Sequence, residues 1–215
     1  KEFASRVLFQ DVTFNINKNE RVVLVGRNGT GKSTLLKMIT GEHDCDGGEI
    51  SFPKNYSIEM LKQHIDFSKN IVLAECMQVL PVENEHDFYL AEKILFGLGF
   101  SKSDLNKDPL SFSGGYQIRI TLTKCLLKAP DMLLLDEPTN YLDIVSMRWL
   151  ENFLRRYPGE IILITHDREF MDNVCTHTMG IHRQNLVKVK GNYEQYRAKV
   201  DEEEAVRVTG EEEAK

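Results

Sequence analysis

One stretch constrains this chain more than any other. Val22-Val23-Leu24-Val25 is a short apolar run, and Gly26-Arg27-Asn28-Gly29-Thr30-Gly31-Lys32-Ser33-Thr34 follows it at once. An unbroken branched run suits a strand buried on both faces of a covered parallel sheet. The glycines then fit G-x-x-x-x-G-K-[ST] at every position, and Lys32–Thr40 reads as a helix ending at Gly41. Such a loop curls so that its amide N–H groups point inward, and the helix N-terminus adds positive potential. Both features suit phosphate. Lys32 is placed to reach the β- and γ-phosphates, and Ser33 to ligate Mg²⁺.

A second run supplies the acids. Met132-Leu133-Leu134-Leu135 is followed by Asp136-Glu137. Charges at the end of a buried strand are costly unless they serve a cation or a reaction. Beside a phosphate loop, Asp136 suits Mg²⁺ held through water, and Glu137 suits the water that attacks phosphorus.

The remaining pattern alternates strand and helix. Val7–Phe9, Val12–Ile16, Glu49–Phe52, Tyr56–Met60 and Ile161–Thr165 are expected as strands. Ile144–Tyr157 and the segment from Arg168 are expected as helices, as is Tyr193 to about Val206. From about 70 to 128 the spacing is helical and strand signals are absent, which predicts a helical subdomain inserted into a mostly parallel, helix-flanked α/β domain. Antiparallel strands are expected near the N-terminus.

Ser111-Phe112-Ser113-Gly114-Gly115-Tyr116-Gln117, ahead of the Asp136-Glu137 strand, narrows the reading. Asn140-Tyr141-Leu142-Asp143 and Ile164-Thr165-His166-Asp167 follow in turn. Together with Gln63 and Phe3, these resemble the ordered motifs of the ATP-binding cassette (ABC) ATPases. The resemblance covers about residues 1–193 and implies a P-loop NTPase fold, ATP and Mg²⁺ as cofactors, and ATP hydrolysis. By position it implies that Phe3 stacks on adenine, the alternative for an aromatic there being a core or terminal residue. Residues 26–34 would cradle the phosphates, while Ser33, Gln63 and Asp136 hold the metal. Glu137 and His166 would prepare the water, with Lys32 on the transferred phosphate. Ser113, Gly114 and Gly115 would cap the ATP of a second ABC domain in trans, and Asp143 would lie at that dimer interface. Tyr116 stands where the family usually has Gln.

Asn140 after Thr139, the run His166-Asp167-Arg168-Glu169-Phe170-Met171-Asp172, and Gly191-Asn192-Tyr193-Glu194-Gln195-Tyr196 resemble the ABC-F branch. That branch implies a cytoplasmic, ribosome-associated translation or antibiotic-resistance factor, acting near rRNA and tRNA, with a second ABC domain in the same full-length chain or a homodimer. The competing class is the ATPase subunit of a membrane ABC transporter. A DNA-repair or chromosome ATPase would carry a long insertion between Gln63 and Ser113, where only 49 residues lie.

Composition fits this picture. No apolar run approaches the ~20 residues of a membrane span. Cys45, Cys76, Cys125 and Cys175 form no C-x-x-C pair and read as free thiols. The net charge is −6, and residues 194–215 hold eight acids against four bases. That balance argues against a domain that coats nucleic acid. The chain opens on Lys1 rather than Met, so a fragment is expected, with residues 194–215 beginning an exit helix and linker or an acidic tail.

Overall fold

The computed structural model describes residues 2–3, 6–81 and 87–213, with side chains over 8–81 and 87–207. The elements in chain order are β1 (Glu2–Phe3), β2 (Arg6–Val7), β3 (Arg21–Val25), α1 (Lys32–Ile39), β4 (Ile58–Met60), α2 (Val72–Met77), α3 (Phe88–Gly97), α4 (Gly114–Leu127), β5 (Met132–Asp136), α5 (Ile144–Arg155), β6 (Glu160–Ile164), α6 (Arg168–Val174), β7 (His177–His182), β8 (Asn185–Lys190) and α7 (Tyr193–Glu213). The chain divides into two compact units. One comprises Lys1–Phe52 with Glu160–Lys215, the other Pro53–Gly159.

In the first unit β3 lies between β6 and β7, parallel to both. β8 returns antiparallel along β7, in register from His177↔Lys190 to His182↔Asn185. β1 and β2 form a small antiparallel pair. β3 is almost wholly buried, as an apolar strand covered on both faces must be. Val23 and Val25 pack with Met171 of α6 and with Tyr196 and Val200 of α7. Gly180 of β7 admits the Tyr196 ring, because an added Cβ would stand 1.9 Å from the tyrosine Oη.

In the second unit β4 and β5 are parallel, with Ile58↔Met132 and Met60↔Leu134. The described residues of 72–127 carry α2, α3 and α4 and no strand. Ile94, Leu95, Leu98, Ile120, Leu122 and Leu126 are fully buried there. Across the described residues the α/β fold is mostly parallel and helix-flanked, as its sequence pattern predicts.

Two expected strands are absent, and β7 is a strand where none was expected. Val12–Ile16 keeps an alternating exposure but belongs to no ladder, and Glu49–Phe52 is likewise outside any strand. Period-2 patterning marks a half-covered segment, whereas a strand also needs a hydrogen-bonded neighbour. β7 is a strand despite two histidines and a glycine, because β3 and β8 pair with it on either side.

Candidate functional site

Within the first unit, the glycine loop leaves the C-terminal end of β3, where ligands of open parallel sheets gather. Gly31 opens α1 with φ 100° and ψ 18°. Thr30 closes the loop upon itself, its N–H and hydroxyl donating to the Arg27 carbonyl at 3.2 and 2.7 Å. Arg27, Asn28 and Gly29 are exposed on the crown, and Ser33 is exposed on the first turn of α1 beside the half-buried Thr34. The Lys32 ammonium folds back and donates to the Gly26 carbonyl at 2.5 Å. Its charge is thereby held over the loop. No acid occupies the first turn of α1, so the positive end of the helix is not offset.

His166 lies two residues past the end of β6, after Thr165, and is exposed. The register pairs Val23 with Leu163, and continued beyond the ladder it brings His166, two residues past β6, level with Gly26, one residue past β3. Asp167 caps α6, accepting from Phe170 N–H at 2.9 Å, which fixes the turn that presents the histidine. Gly26–Thr34 and His166 thus share one edge of one unit.

Sequence reasoning missed Phe9. Its buried ring packs beneath the loop, 2.9 Å from where a Cβ on Gly31 would stand. The signal was faint, because Phe9 reads as one more apolar residue of a strand. Phe3 belongs to β1, paired with Arg6, and its side chain lies outside the described residues.

In the second unit, Asp136 ends β5 and Glu137 follows it. Glu137 has φ 49°, a left-handed conformation that costs a non-glycine residue about 1–2 kcal/mol. Such strain is concentrated at sites where a side chain must be aimed. The turn continues with Asn140 N–H and Leu142 N–H donating to the carbonyls of Glu137 and Thr139 at 3.4 and 3.1 Å. Gln63 is exposed and leaves the same strand edge from β4, since Leu61 N–H still donates to the Leu134 carbonyl at 2.9 Å.

Ser113 is the N-cap of α4, and its side chain makes no cap bond to its own helix. Ser113 and Gly114 are exposed, and Gly115 rests on the Tyr141 side chain. Arg119, also unremarked in the sequence, ties this helix to the following loop. Its Nε donates to the Tyr141 carbonyl at 2.9 Å and Nη1 to the Leu98 carbonyl at 2.8 Å, with Asp143 Oδ2 3.5 Å away. Asp143 caps α5 by accepting from Ser146 N–H at 2.8 Å. That bond, more than the nearby Arg119, holds the carboxyl below the usual range against the opposing effect of burial. Tyr116 is turned into the unit, edge-on to Phe100 and beneath the Arg119 guanidinium at 4.5 Å. A tyrosine therefore replaces the usual glutamine by joining an aromatic cluster.

Residues 9–140 match the family described as ABC transporter. The ATP-binding protein Uup of Buchnera aphidicola is 38% identical over 201 residues, covering 90% of this chain and 33% of the relative. The probable ATP-binding protein YheS of Escherichia coli K12 is 34% identical, covering 89% and 35%. The putative ATP-binding protein YdiF of Bacillus subtilis is 33% identical, covering 91% and 37%. The chain spans about a third of the length of these relatives, which are ABC-F family proteins. Among solved structures, an ATP binding subunit of an ABC transporter superimposes with TM-score 0.77 at 22% identity, covering 93% of this chain and 89% of that one. A dimeric, post-hydrolysis cassette, MJ0796 with ADP and Pi, gives 0.68 at 20%, covering 85% and 90%. These two likenesses concern the fold. The motifs, the fold and the match together place the chain in the ABC transporter family, as an ATP-binding and ATP-hydrolysing domain related to the ABC-F proteins.

Proposed function

We propose that the chain binds MgATP and closes head to tail with a second ABC domain, as part of a cytoplasmic ABC-F factor that engages the ribosome. The observation that carries the pairing is the exposed start of α4. Ser113 offers a hydroxyl that caps nothing in its own helix, beside an exposed Gly114 N–H and a helix N-terminus. Those are donors suited to a γ-phosphate brought by another domain. The domain boundaries proposed with this reading are a nucleotide-binding domain over 1–193, including the helical subdomain at about 70–128, and an exit helix from 194.

The metal reading rests on donor chemistry. Ser33, Gln63 and Asp136 offer hydroxyl, amide and carboxylate oxygens, the hard ligands that Mg²⁺ takes. The described residues contain no cluster of three or more His, Cys, Asp or Glu able to cage an ion. A cation that keeps waters and phosphate oxygens needs no such cage. When bound, Mg²⁺ would neutralise charge on the β- and γ-phosphates. Lys32 holds charge over the loop. Glu137 accepts a proton from the attacking water, His166 contacts the γ-phosphate and positions that water, and Phe3 stacks on adenine. Asp143 meets the partner domain. Closure is the working stroke, with ATP shifting an open–closed equilibrium.

Ribosome co-sedimentation tests the finer reading. The chain, extended through any second domain and carrying Glu137→Gln with its second-site counterpart, is expected to pellet with ribosomes only when ATP is present. Closure with ATP but no pelleting would refute the ribosomal role and reopen the search for a partner among membrane and DNA complexes.

A further inference from the structure

Beyond Gln63 the chain runs through Phe67-Ser68-Lys69 before α2, and a single carboxylate holds that stretch. Glu75 on α2 is fully buried. Its Oε2 accepts from the N–H groups of Ser68 and Lys69 at 3.0 and 2.8 Å. Its Oε1 accepts from the Lys124 ammonium of α4. The same ammonium lies 5.9 Å from the centre of the Phe67 ring, and Ser68 Oγ donates to Gln78 Oε1 at 2.8 Å. Ser68 and Lys69 are themselves exposed, so water could serve their amides. Burying a carboxylate for them is costly unless it achieves more than satisfying two donors. The bonds it makes are charge-assisted, and they operate in a low dielectric, which makes them stiff. Two parts of the proposed machinery meet on it: the loop that begins at Gln63, and the helix whose N-terminus carries Ser113-Gly114-Gly115.

We infer that Glu75, with Lys124, is a positioning residue that locks the Gln63 loop to α4, so that Gln63 and the phosphate-capping end of α4 move as one piece during turnover. This rests on the roles proposed above for Gln63 and Ser113. A pair that served stability alone would leave the two ends kinetically independent.

The test removes both charges together, since Lys124→Met alone would strand a buried carboxylate. Glu75→Gln/Lys124→Met keeps both shapes and one acceptor oxygen. Amide hydrogen exchange at Ser68 and Lys69 is expected to quicken about tenfold, the effect of losing one charge-assisted bond. The ATPase kcat, read at one fixed protein concentration, is expected to fall about tenfold with KM for ATP unchanged, because misplaced groups lose rate before they lose binding. In a Gln63→Ala background the same pair is expected to cost nothing further, the mark of residues acting as a unit. Lys124→Arg, which retains the charge, is expected to keep both values near those of the parent. Unchanged exchange, or an equal kcat loss in the Gln63→Ala background, would overturn the inference. Full turnover by Gln63→Ala itself would refute the metal role of Gln63, and the exchange of the two amides would then decide the lock by itself.

Discussion

Replacing Gly31 by alanine probes a position in the phosphate loop where backbone conformation and packing both demand glycine. At φ 100° a side chain meets the strain of the left-handed region, about 1–2 kcal/mol. The new Cβ would also stand 2.9 Å from Phe9 Cζ, closer than carbon atoms approach, and 3.4 Å from Leu8 Cδ1. Phe9 is buried and cannot swing away, so this overpacking adds about 1–3 kcal/mol. Reduced freedom of the unfolded chain returns about 0.4–1 kcal/mol. The net expected loss is about 2–4 kcal/mol, a shift of about 1–2 M in the urea midpoint at an ordinary slope. Urea unfolding followed by circular dichroism measures it. Repeating Gly31→Ala in a Phe9→Leu background separates the two contributions, because the shorter side chain removes the contact and leaves the torsional strain. About half the loss should then disappear. A midpoint that barely moves, or a loss the same size in both backgrounds, would refute the argument that the phosphate loop is braced on Phe9.

Three further outcomes follow from other parts of the molecule. Arg119→Lys keeps the charge but cannot reproduce the planar fork that reaches the Tyr141 and Leu98 carbonyls, so it should cost about 2–3 kcal/mol in denaturation followed by Trp149 fluorescence. Burial pushes the Glu20 carboxyl up, but its bonds from Lys188 and from Asn17 prevail and bring it down to about 2. Its folded-state value lies below its unfolded one, so its stabilisation is full above about pH 4.5 and is lost as the pH falls through about 2; Glu20→Gln should flatten that part of the stability–pH curve. Burial lifts the thiols of Cys76 and Cys175 to about 12 and that of Cys125 higher still, so a thiol reagent at pH 8 should modify Cys45 first in the native chain.

The sequence made the phosphate loop and the acidic strand end legible for one physical reason. Strands buried on both faces are written as continuous apolar runs, and both Val22–Val25 and Met132–Leu135 are of that kind. Glycines that a loop cannot do without stand out beside such runs. Other features depend on partners far along the chain. β7 contains His177, Gly180 and His182, and its strand character comes from β3, β8 and the ring of Tyr196. Arg119 reads as a solvated helix position until the Leu98 and Tyr141 carbonyls are brought to it. Val12–Ile16 errs the other way, with a strand's alternation but no ladder. Glu137 was legible as an acid at a strand end, whereas its left-handed backbone was not, because φ is set by the turn that follows it.

The central claim is that this domain hydrolyses ATP with a second domain completing its site. The most direct measurement is specific ATPase activity over a wide range of protein concentration, for the chain and for Glu137→Gln. The account predicts activity that rises with concentration, and a Glu137→Gln variant that still binds ATP but turns over at least ~100-fold more slowly, the scale of a lost general base. Brisk turnover that is independent of concentration would contradict the shared site, and unimpaired hydrolysis by Glu137→Gln would contradict the catalytic assignment.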